Sequence, residues 1–214
     1  MDNSNYQAKN WGSEFGELFT NRYWQNFEEV DRGYNQAFGI PRSILNKELI
    51  GDLDRNIKIL EVGSGAGLQL KGLQNLGFKH LYGIDIQRYA IEKSKQNNNH
   101  IDIIEGSLLD IPFKNDYFDM VYTSFVLIHI HPDNLSKALD EIYRCTKKYI
   151  WCAEYYSPTL QEVKYQGEDN MLWKQDFKEL FLNKFSNLEL VKEKKYHYLK
   201  EPLLQDRMFL LQKK

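Results

Sequence analysis

In the segment Ile59-Leu60-Glu61-Val62-Gly63-Ser64-Gly65-Ala66-Gly67, a short apolar run leads into a glycine-rich loop. β-Branched and apolar residues at its start favour a buried strand. Leucines at helical spacing follow from Leu68 to Leu76, and Gly77 is typical of a helix end. Glycines in the loop allow a tight turn and a close approach of backbone N–H groups to a ligand. The stretch therefore predicts a strand, a ligand-binding loop and a helix.

The alternation of strands and helices continues along the chain. Strands are predicted at Lys58–Val62, His80–Asp85, Ile101–Ile104, Phe118–Thr123, Tyr149–Glu154, Leu188–Tyr198 and Arg207–Gln212. Helices are predicted at Pro41–Leu53, Leu68–Leu76, Tyr89–Asn97, Asp133–Cys145 and Trp173–Phe185. This order predicts an α/β fold with a mostly parallel sheet covered on both faces and closed by an antiparallel hairpin. We expect a single domain, with a helical cap or lid over residues 1–55 and the core over residues 56–214.

Two carboxylates mark the ends of the first two strands. Glu61 precedes the glycine loop and Asp85 ends the second strand. Ligands of open α/β sheets bind outside the carboxyl ends of the strands, and an acid in the position of Asp85 can accept both hydroxyls of a ribose. A dinucleotide prefers a G-x-G-x-x-G loop, whereas this loop is G-x-G-x-G. Glu61 would also repel a pyrophosphate but suits an ammonium or a sulfonium, which disfavours a nicotinamide-dependent enzyme.

The segments "ILEVGSGAG", "GID" and "FDMVYTSFVLIHI" resemble the class I S-adenosylmethionine-dependent methyltransferases. The resemblance extends from Lys58 to Lys213. It implies a Rossmann-like sheet of strand order 3-2-1-4-5-7-6, with strand seven antiparallel. It also implies S-adenosyl-L-methionine as the cofactor and S-adenosyl-L-homocysteine as the product.

The same resemblance assigns cofactor-binding residues. Glu61 and the glycine loop would hold the methionine part, Asp85 the ribose and Ile86 the adenine. Ser107 stands where the family often has an aspartate, so its bond to the adenine would lack charge assistance. Apart from the resemblance, Arg22 could pair bidentately with the cofactor carboxylate, and a surface ion pair is the alternative. The full expected set is Glu61, Gly63, Ser64, Gly65, Gly67, Asp85, Ile86, Gly106, Ser107, Leu108, Ser124 and Arg22.

Four further segments, "GSEFGELFTNRYW", "LIHIHPD", "AEYYSP" and "VKYQGEDNMLWKQDF", are similar to the small methylases associated with pseudaminic acid biosynthesis. This resemblance implies a small polar acceptor, an amino sugar or nucleotide-linked sugar of a nonulosonic acid pathway. Two alternatives stay open: a hydroxyl or carboxyl acceptor on another small molecule, and a non-catalytic module that binds S-adenosylmethionine. The segment Trp11–Trp24 is expected to fold over the cofactor as a lid.

The candidate catalytic residues are His129 after strand four, and Glu154 and Tyr156 at the end of strand five. An amine acceptor must react in its neutral form, so a nearby carboxylate or imidazole would help by taking a proton. Strand alternation predicts that Glu154 and Tyr156 share one face and Tyr155 the other. Structural roles remain open: His129 packs against the sheet, or Glu154 bridges to a lysine or arginine.

Other polar residues have simpler interpretations. We expect Asp110 to form a turn, Asp119 to hydrogen-bond at the start of strand four, and Asp133 to cap the helix that His131 enters. Trp173 and Phe177 are four residues apart and predict a core stripe rather than a substrate clamp.

Composition narrows the partners. The 214 residues carry a net charge of −2, so no basic field favours nucleic acid or an anionic membrane. No apolar run approaches the roughly 20 residues that span a bilayer. Cys145 and Cys152 form no disulfide framework, which favours a cytoplasmic setting. His129-x-His131 lacks further ligands at recognisable spacing, so no metal site is expected.

Overall fold

The computed structural model describes residues 6–22, 25–97 and 101–214. The helices are α1 (Tyr6–Trp11), α2 (Glu14–Arg22), α3 (Phe27–Phe38), α4 (Arg42–Ile50), α5 (Leu68–Asn75), α6 (Arg88–Asn97), α7 (Pro132–Cys145) and α8 (Phe177–Lys184). The strands are β1 (Lys58–Val62), β2 (His80–Asp85), β3 (Asp102–Glu105), β4 (Phe118–Ser124), β5 (Thr146–Tyr155), β6 (Gln161–Glu162), β7 (Trp173–Lys174), β8 (Leu188–His197) and β9 (Gln205–Lys213).

Seven strands form one sheet in the order β3-β2-β1-β4-β5-β9-β8. The first five run parallel, and β9 is antiparallel to both of its neighbours. Counted within this sheet, the order is the predicted 3-2-1-4-5-7-6 with strand seven antiparallel. The fold prediction is confirmed. Because β9 runs against β5, its first residues lie at the edge where the parallel strands end.

The sheet separates two hydrophobic clusters. We call one side the α3 face; it carries Ile59, Met120 and Trp151 together with residues of α3 and α4. The other side, the α7 face, carries Val121 and Ile150 with residues of α7 and α8. Buried on both sides, the central strands read as continuous apolar runs rather than as alternating ones.

Two predicted helices have different limits in the structure. The helix expected from Trp173 begins only at Phe177, because the Asp176 side chain accepts a hydrogen bond from Glu179 N and caps it there. Trp173 instead pairs with Glu162 in the short β6–β7 ladder. The helix expected over Pro41–Leu53 spans Arg42–Ile50, with Pro41 as its N-cap residue.

Four described helices, α1 to α4, precede the sheet. Within the part of the chain that the structure describes, none of the helices is long and apolar enough to cross a membrane.

Candidate functional site

A cavity of about 490 Å³ lies at the carboxyl ends of the parallel strands. Its walls come from the loops after β1, β2, β3 and β4, from helices α1 to α3, and from the β8–β9 hairpin. The strand ends converge there because all five parallel strands point the same way.

The glycine loop forms one wall of the cavity. Gly63 N and Ser64 N both donate to the Ile84 carbonyl, at 2.8 and 3.0 Å, and so tie the loop to β2. Gly63, Ser64 and Gly65 line the cavity. Gly67 does not; it is the N-cap residue of α5 in a left-handed conformation. Gly67 therefore shapes the start of α5 and does not form part of the cavity wall, unlike the other predicted loop residues.

Asp85 lines the cavity next to the glycine loop, and both of its carboxylate oxygens accept hydrogen bonds from backbone N–H groups. Oδ2 accepts from Gly65 N at 2.7 Å and Oδ1 accepts from Gln87 N at 2.8 Å. Burial raises the pKa of this carboxyl, and these backbone hydrogen bonds oppose the rise. Each oxygen keeps a further lone pair, so Asp85 can still accept ligand hydroxyls.

Glu61 is buried beside the loop and lines the cavity. Burial raises its pKa to about 8, an effect partly offset by the guanidinium of Arg42. Its Oε2 has no hydrogen-bond partner among the described residues. A cationic ligand beside this carboxyl would favour its ionised form.

The loops after β2 and β3 form the adjoining wall. Ile86, Gly106, Ser107 and Leu108, which are expected to bind the cofactor, all line the cavity. The Ser107 hydroxyl accepts a hydrogen bond from Leu109 N at 3.1 Å, which fixes its orientation. Ser124 lines the cavity as well, and its buried hydroxyl has no partner in the described chain.

His129 lies in the cavity wall on a short 3₁₀ turn, Leu127–His129. Its Nδ1 is 2.7 Å from the Met171 carbonyl oxygen, so Nδ1 must carry a proton to donate, which leaves Nε2 as an acceptor. Burial lowers the pKa of His129 to about 4. The imidazole is therefore neutral at pH 7, with Trp11 and Tyr165 packed edge-on against it at 4.7 and 4.9 Å between ring centres.

Glu154 corrects the sequence interpretation, because it anchors a loop and does not line the cavity. Its Oε1 accepts from the Thr123 hydroxyl at 2.8 Å and from Val126 N at 3.3 Å, and its Oε2 accepts from Ile128 N at 3.4 Å. The side chain is only 1% exposed. Its partners are one hydroxyl and backbone N–H groups, not the lysine or arginine that a bridge would need. The carboxylate thereby holds the turn that carries His129.

Tyr156 and Arg22 are also placed away from the cavity wall. Strand β5 ends at Tyr155, and the Tyr156 ring lies under the Arg207 guanidinium at 3.8 Å. Arg22 is exposed and donates to Gln166 Oε1 at 3.3 Å. Strand alternation puts Tyr155 on the opposite face from Glu154, and it is Tyr155 that lines the cavity.

Sequence reasoning missed the far end of the cavity, which is lined by Tyr34 and Phe38 of α3 and by Tyr198 and Asp206 of the hairpin. Asp206 Oδ2 accepts from the Tyr198 hydroxyl at 3.1 Å. A signal for Asp206 was present: an acid at the start of an antiparallel last strand lies at the same edge as acids that end parallel strands.

Helices α1 and α2 cover the cavity. Trp11, Gly16 and Thr20 line it, and the Thr20 hydroxyl donates to Gln87 Oε1 at 2.7 Å. Gln7 Nε2 donates to the Asn170 carbonyl at 2.9 Å. These contacts attach α2 to the loop after β2 and α1 to the segment between β6 and β7. Tyr23 and Trp24, the end of the predicted lid, lie outside the described residues.

The simpler interpretations are tested by direct contacts. Asp119 Oδ2 accepts from Lys58 N at 2.8 Å, which confirms its role at the strand start. Asp110 N donates to the Ser107 carbonyl in a turn, as expected. The cap of α7 is His131, whose Nδ1 accepts from Asp133 N; the assignment of the cap to Asp133 was wrong.

In residues 6–22, 25–97 and 101–214, no group of three or more histidines, cysteines, aspartates or glutamates is arranged to hold a metal ion.

Solved structures share this architecture. The magnesium protoporphyrin IX methyltransferase of Synechocystis PCC 6803, solved with bound S-adenosylmethionine, matches with a TM-score of 0.71 at 15% identity over 100% of this chain and 98% of that one. The chain has the class I methyltransferase fold. Residues 60–152 also match the family model described as a methyltransferase domain. The matched residues include the glycine loop, Asp85, Ser107 and Ser124.

Two curated relatives are methyltransferases with different substrates in their names. A ribosomal protein L11 methyltransferase of Fusobacterium nucleatum is 29% identical over 68% of this chain and 51% of its own length. A phosphoethanolamine N-methyltransferase of Plasmodium falciparum is 25% identical over 70% of this chain and 52% of its own length. The chain thus spans about half the length of these relatives.

Proposed function

We propose that the chain is an S-adenosylmethionine-dependent methyltransferase that acts on a small polar acceptor, an amino sugar or related sugar of a nonulosonic acid pathway. The observation that carries the proposal is one cavity with two chemically distinct ends. One end is built from the glycine loop, Glu61 and Asp85; the other is lined by aromatic rings and Asp206. The fold and the domain match support the cofactor, and the sugar acceptor rests on the sequence resemblance alone.

The residues present fit S-adenosylmethionine. Six buried polar atoms of the cavity wall have no hydrogen-bond partner within the described residues: Trp11 Nε1, Glu61 Oε2, Ser64 Oγ, Gln69 Oε1, Gln87 Nε2 and Ser124 Oγ. Unpaired buried polar atoms are costly, so a ligand with complementary donors and acceptors would be stabilised there. No atom lies within 4 Å of where a side chain at Gly65 would begin, which leaves room for a ligand against the loop.

The roles follow from the geometry. When bound, S-adenosylmethionine supplies a methyl group on a positively charged sulfur. Asp85 would accept the ribose hydroxyls while Gly65 N and Gln87 N hold its carboxylate in place. Glu61 would face the positively charged part of the cofactor. Closure by α1 and α2 would exclude water from the reacting groups.

His129 is suited to orient the acceptor. Its neutral ring presents Nε2 as a hydrogen-bond acceptor, because Nδ1 is committed to the Met171 carbonyl. An N–H or O–H of an acceptor could donate to Nε2, which would turn the acceptor lone pair away from the imidazole. Glu154 would act one step further away, as a positioning residue that holds the turn of His129.

The test is calorimetric titration with S-adenosylmethionine, S-adenosylhomocysteine and NAD, followed by an assay for S-adenosylhomocysteine release with amine, hydroxyl and carboxylate sugars. We expect both sulfur compounds to bind, NAD to give no heat, and an amino sugar to be methylated. Failure of both sulfur compounds to bind would refute the proposal. Binding without turnover of any acceptor would favour a non-catalytic module instead.

A further inference from the structure

Among the described residues, the side chains that line the cavity include three carboxylic acids and two histidines, His129 and His131. Within residues 6–22, 25–97 and 101–214, the lining includes the carboxylates of Glu61, Asp85 and Asp206 and neither a lysine nor an arginine. The remaining stretches, 1–5, 23–24 and 98–100, contain no lysine or arginine in their sequence. The side chains that normally hold phosphate groups are arginine and lysine. This lining therefore disfavours a phosphorylated acceptor.

Asp206 is the acid at the far end of the cavity, which is lined by Tyr34, Phe38 and Tyr198 and which we call the acceptor end. Asp206 is only 2% exposed, yet it lines the cavity. Tyr198 lines the cavity beside it and donates a hydrogen bond from its hydroxyl to the Asp206 carboxylate. In the β9–β5 register Asp206 lies beside Tyr155, at the end of the strand next to the one that ends in Ser124. The carboxylate thus lies on the same edge of the sheet as the cofactor wall.

Aromatic rings surround this carboxylate. The rings of Tyr34 and Phe38 are 5.3 Å apart between centres, and those of Phe38 and Tyr198 are 4.5 Å apart. Tyr155 lines the same end. A carboxylate surrounded by aromatic rings favours the binding of a cation, because the ring quadrupoles attract the cation in addition to the negative charge of the carboxylate.

Two cations lie near the acceptor end but outside its wall. Arg42 is fully buried beneath it, with Nη1 donating to Tyr34 Oη at 2.6 Å and Nε donating to Asn46 Oδ1 at 2.8 Å. Lys174 Nζ lies 5.1 Å from the centre of the Tyr155 ring. Neither residue lines the cavity. Arg42 supports Tyr34 and Asn46 through Nη1 and Nε, and its Nη2 has no partner among the described residues.

We propose that the acceptor end binds the protonated amino group of an acceptor that carries no phosphate, with Asp206 as its counter-ion and Tyr34, Phe38 and Tyr198 as its aromatic walls. The inference rests on the proposed methyltransferase function and narrows its acceptor. It selects the free amino sugar over the nucleotide-linked form, because a pyrophosphate would meet carboxylates and rings in this cavity.

The experiment uses the full chain saturated with S-adenosylhomocysteine and three ligands that share one ring: glucose, glucosamine and glucosamine 6-phosphate. Binding is followed by protein-observed NMR up to tens of millimolar ligand. We expect glucosamine to bind more tightly than the other two. We expect Asp206→Asn to weaken glucosamine binding by about tenfold or more, the scale for losing a charged hydrogen-bond partner, while glucose binding is unchanged.

Two variants keep the test interpretable. Glu201→Gln removes an acid from the exposed tip of the same hairpin and should leave all three affinities unchanged. Tyr198→Phe keeps the ring and deletes the hydroxyl that donates to Asp206, so it tests the site if Asp206→Asn does not fold; it should weaken glucosamine binding selectively.

The outcomes separate the two proposals. The inference is overturned if glucosamine 6-phosphate binds best, if glucosamine does not bind the loaded protein, or if its preference survives in both Asp206→Asn and Tyr198→Phe. Failure of S-adenosylhomocysteine to bind at all would instead overturn the proposed function.

Discussion

The backbone N–H of Gly65 donates a 2.7 Å hydrogen bond to Oδ2 of Asp85, joining the loop after β1 to the end of β2. This bond connects the glycine loop and Asp85, which are about 20 residues apart in the sequence. The carboxylate therefore has two roles: it shapes the glycine loop, and it is available to ligand hydroxyls.

Replacing Asp85 by alanine should weaken S-adenosylhomocysteine binding by about 1–3 kcal/mol, the cost of unpairing groups that bonded a charged partner. Calorimetric titration measures the change. The matched control is Glu105→Gln at the end of the neighbouring strand β3, where the carboxylate is half-exposed and pairs with Arg88. Equal affinities for wild type and Asp85→Ala would remove Asp85 from the site.

Alanine at Gly63 and at Gly65 should have different effects, although both glycines have positive φ, +69° and +52°. A Cβ at Gly63 would lie 2.6 Å from Val126 Cγ2, and valine has little rotamer freedom to move away. We expect Gly63→Ala to destabilise the fold by about 1–3 kcal/mol more than Gly65→Ala in urea unfolding, since overpacking adds to backbone strain.

Gly65→Ala should instead act on the ligand. Its Cβ would meet no protein atom within 4 Å and would project beside the cavity wall. We therefore expect a fold close to wild type with reduced S-adenosylhomocysteine affinity. Equal losses of stability in the two variants would contradict this distinction.

The stability of the protein should depend on pH through Glu154, whose pKa burial raises to about 7 from an ordinary value of 4.5. The folded state then binds the proton more tightly than the unfolded state. Its stabilising contribution is complete below pH 4.5 and is lost as pH rises through 7, by about 1.4 kcal/mol per unit of pKa difference. Because Glu154→Gln cannot ionise, its stability relative to wild type should rise between pH 5 and pH 8.

Urea unfolding of wild type and Glu154→Gln at several pH values measures this effect. Glu201→Gln, at an exposed site, should follow the wild-type curve. If the curves for wild type and Glu154→Gln run parallel, the carboxyl does not change its protonation in this range.

His129→Asn should reduce turnover strongly while leaving S-adenosylhomocysteine affinity near that of wild type. General acid–base and orienting groups typically contribute about 10²–10⁴-fold to rate. Asparagine is small enough for the site but does not place an acceptor atom where Nε2 lies. His80→Asn, at an exposed strand start, is the control and should retain full activity. Unchanged turnover in His129→Asn would leave His129 with a packing role alone.

The alternation of strands and helices and the positions of the glycine loop and Asp85 depend on local patterns, so the sequence predicted them. The strand order followed from the resemblance to the class I methyltransferases. Apolar runs, glycine turns and an acid at a strand end are readable within a few residues, as Gly63 to Gly65 and Asp85 illustrate. The position of each of these residues is determined by the strand that it ends or follows, so it can be read from the neighbouring sequence.

The acceptor side could not be predicted to the same extent. Whether Glu154 or Tyr155 faces the ligand depends on which side of the sheet carries the cavity. Because successive residues of a strand point to opposite faces, an error of one residue selects the wrong side chain. Arg22 and Tyr156 have partners distant in sequence, Gln166 and Arg207, that no local pattern reveals. Asp206 required combining the antiparallel direction of the last strand with the edge at which the other strands end.

The position of the β8–β9 hairpin at the border of the sheet has an evolutionary consequence. Asp206 and Tyr198 belong to one continuous stretch of chain that bonds to the rest of the sheet through β5 alone. The elements that would hold the cofactor lie on β1, β2 and β4. A relative could therefore exchange this hairpin as a cassette and acquire a new acceptor preference, while the machinery that delivers the methyl group is inherited intact.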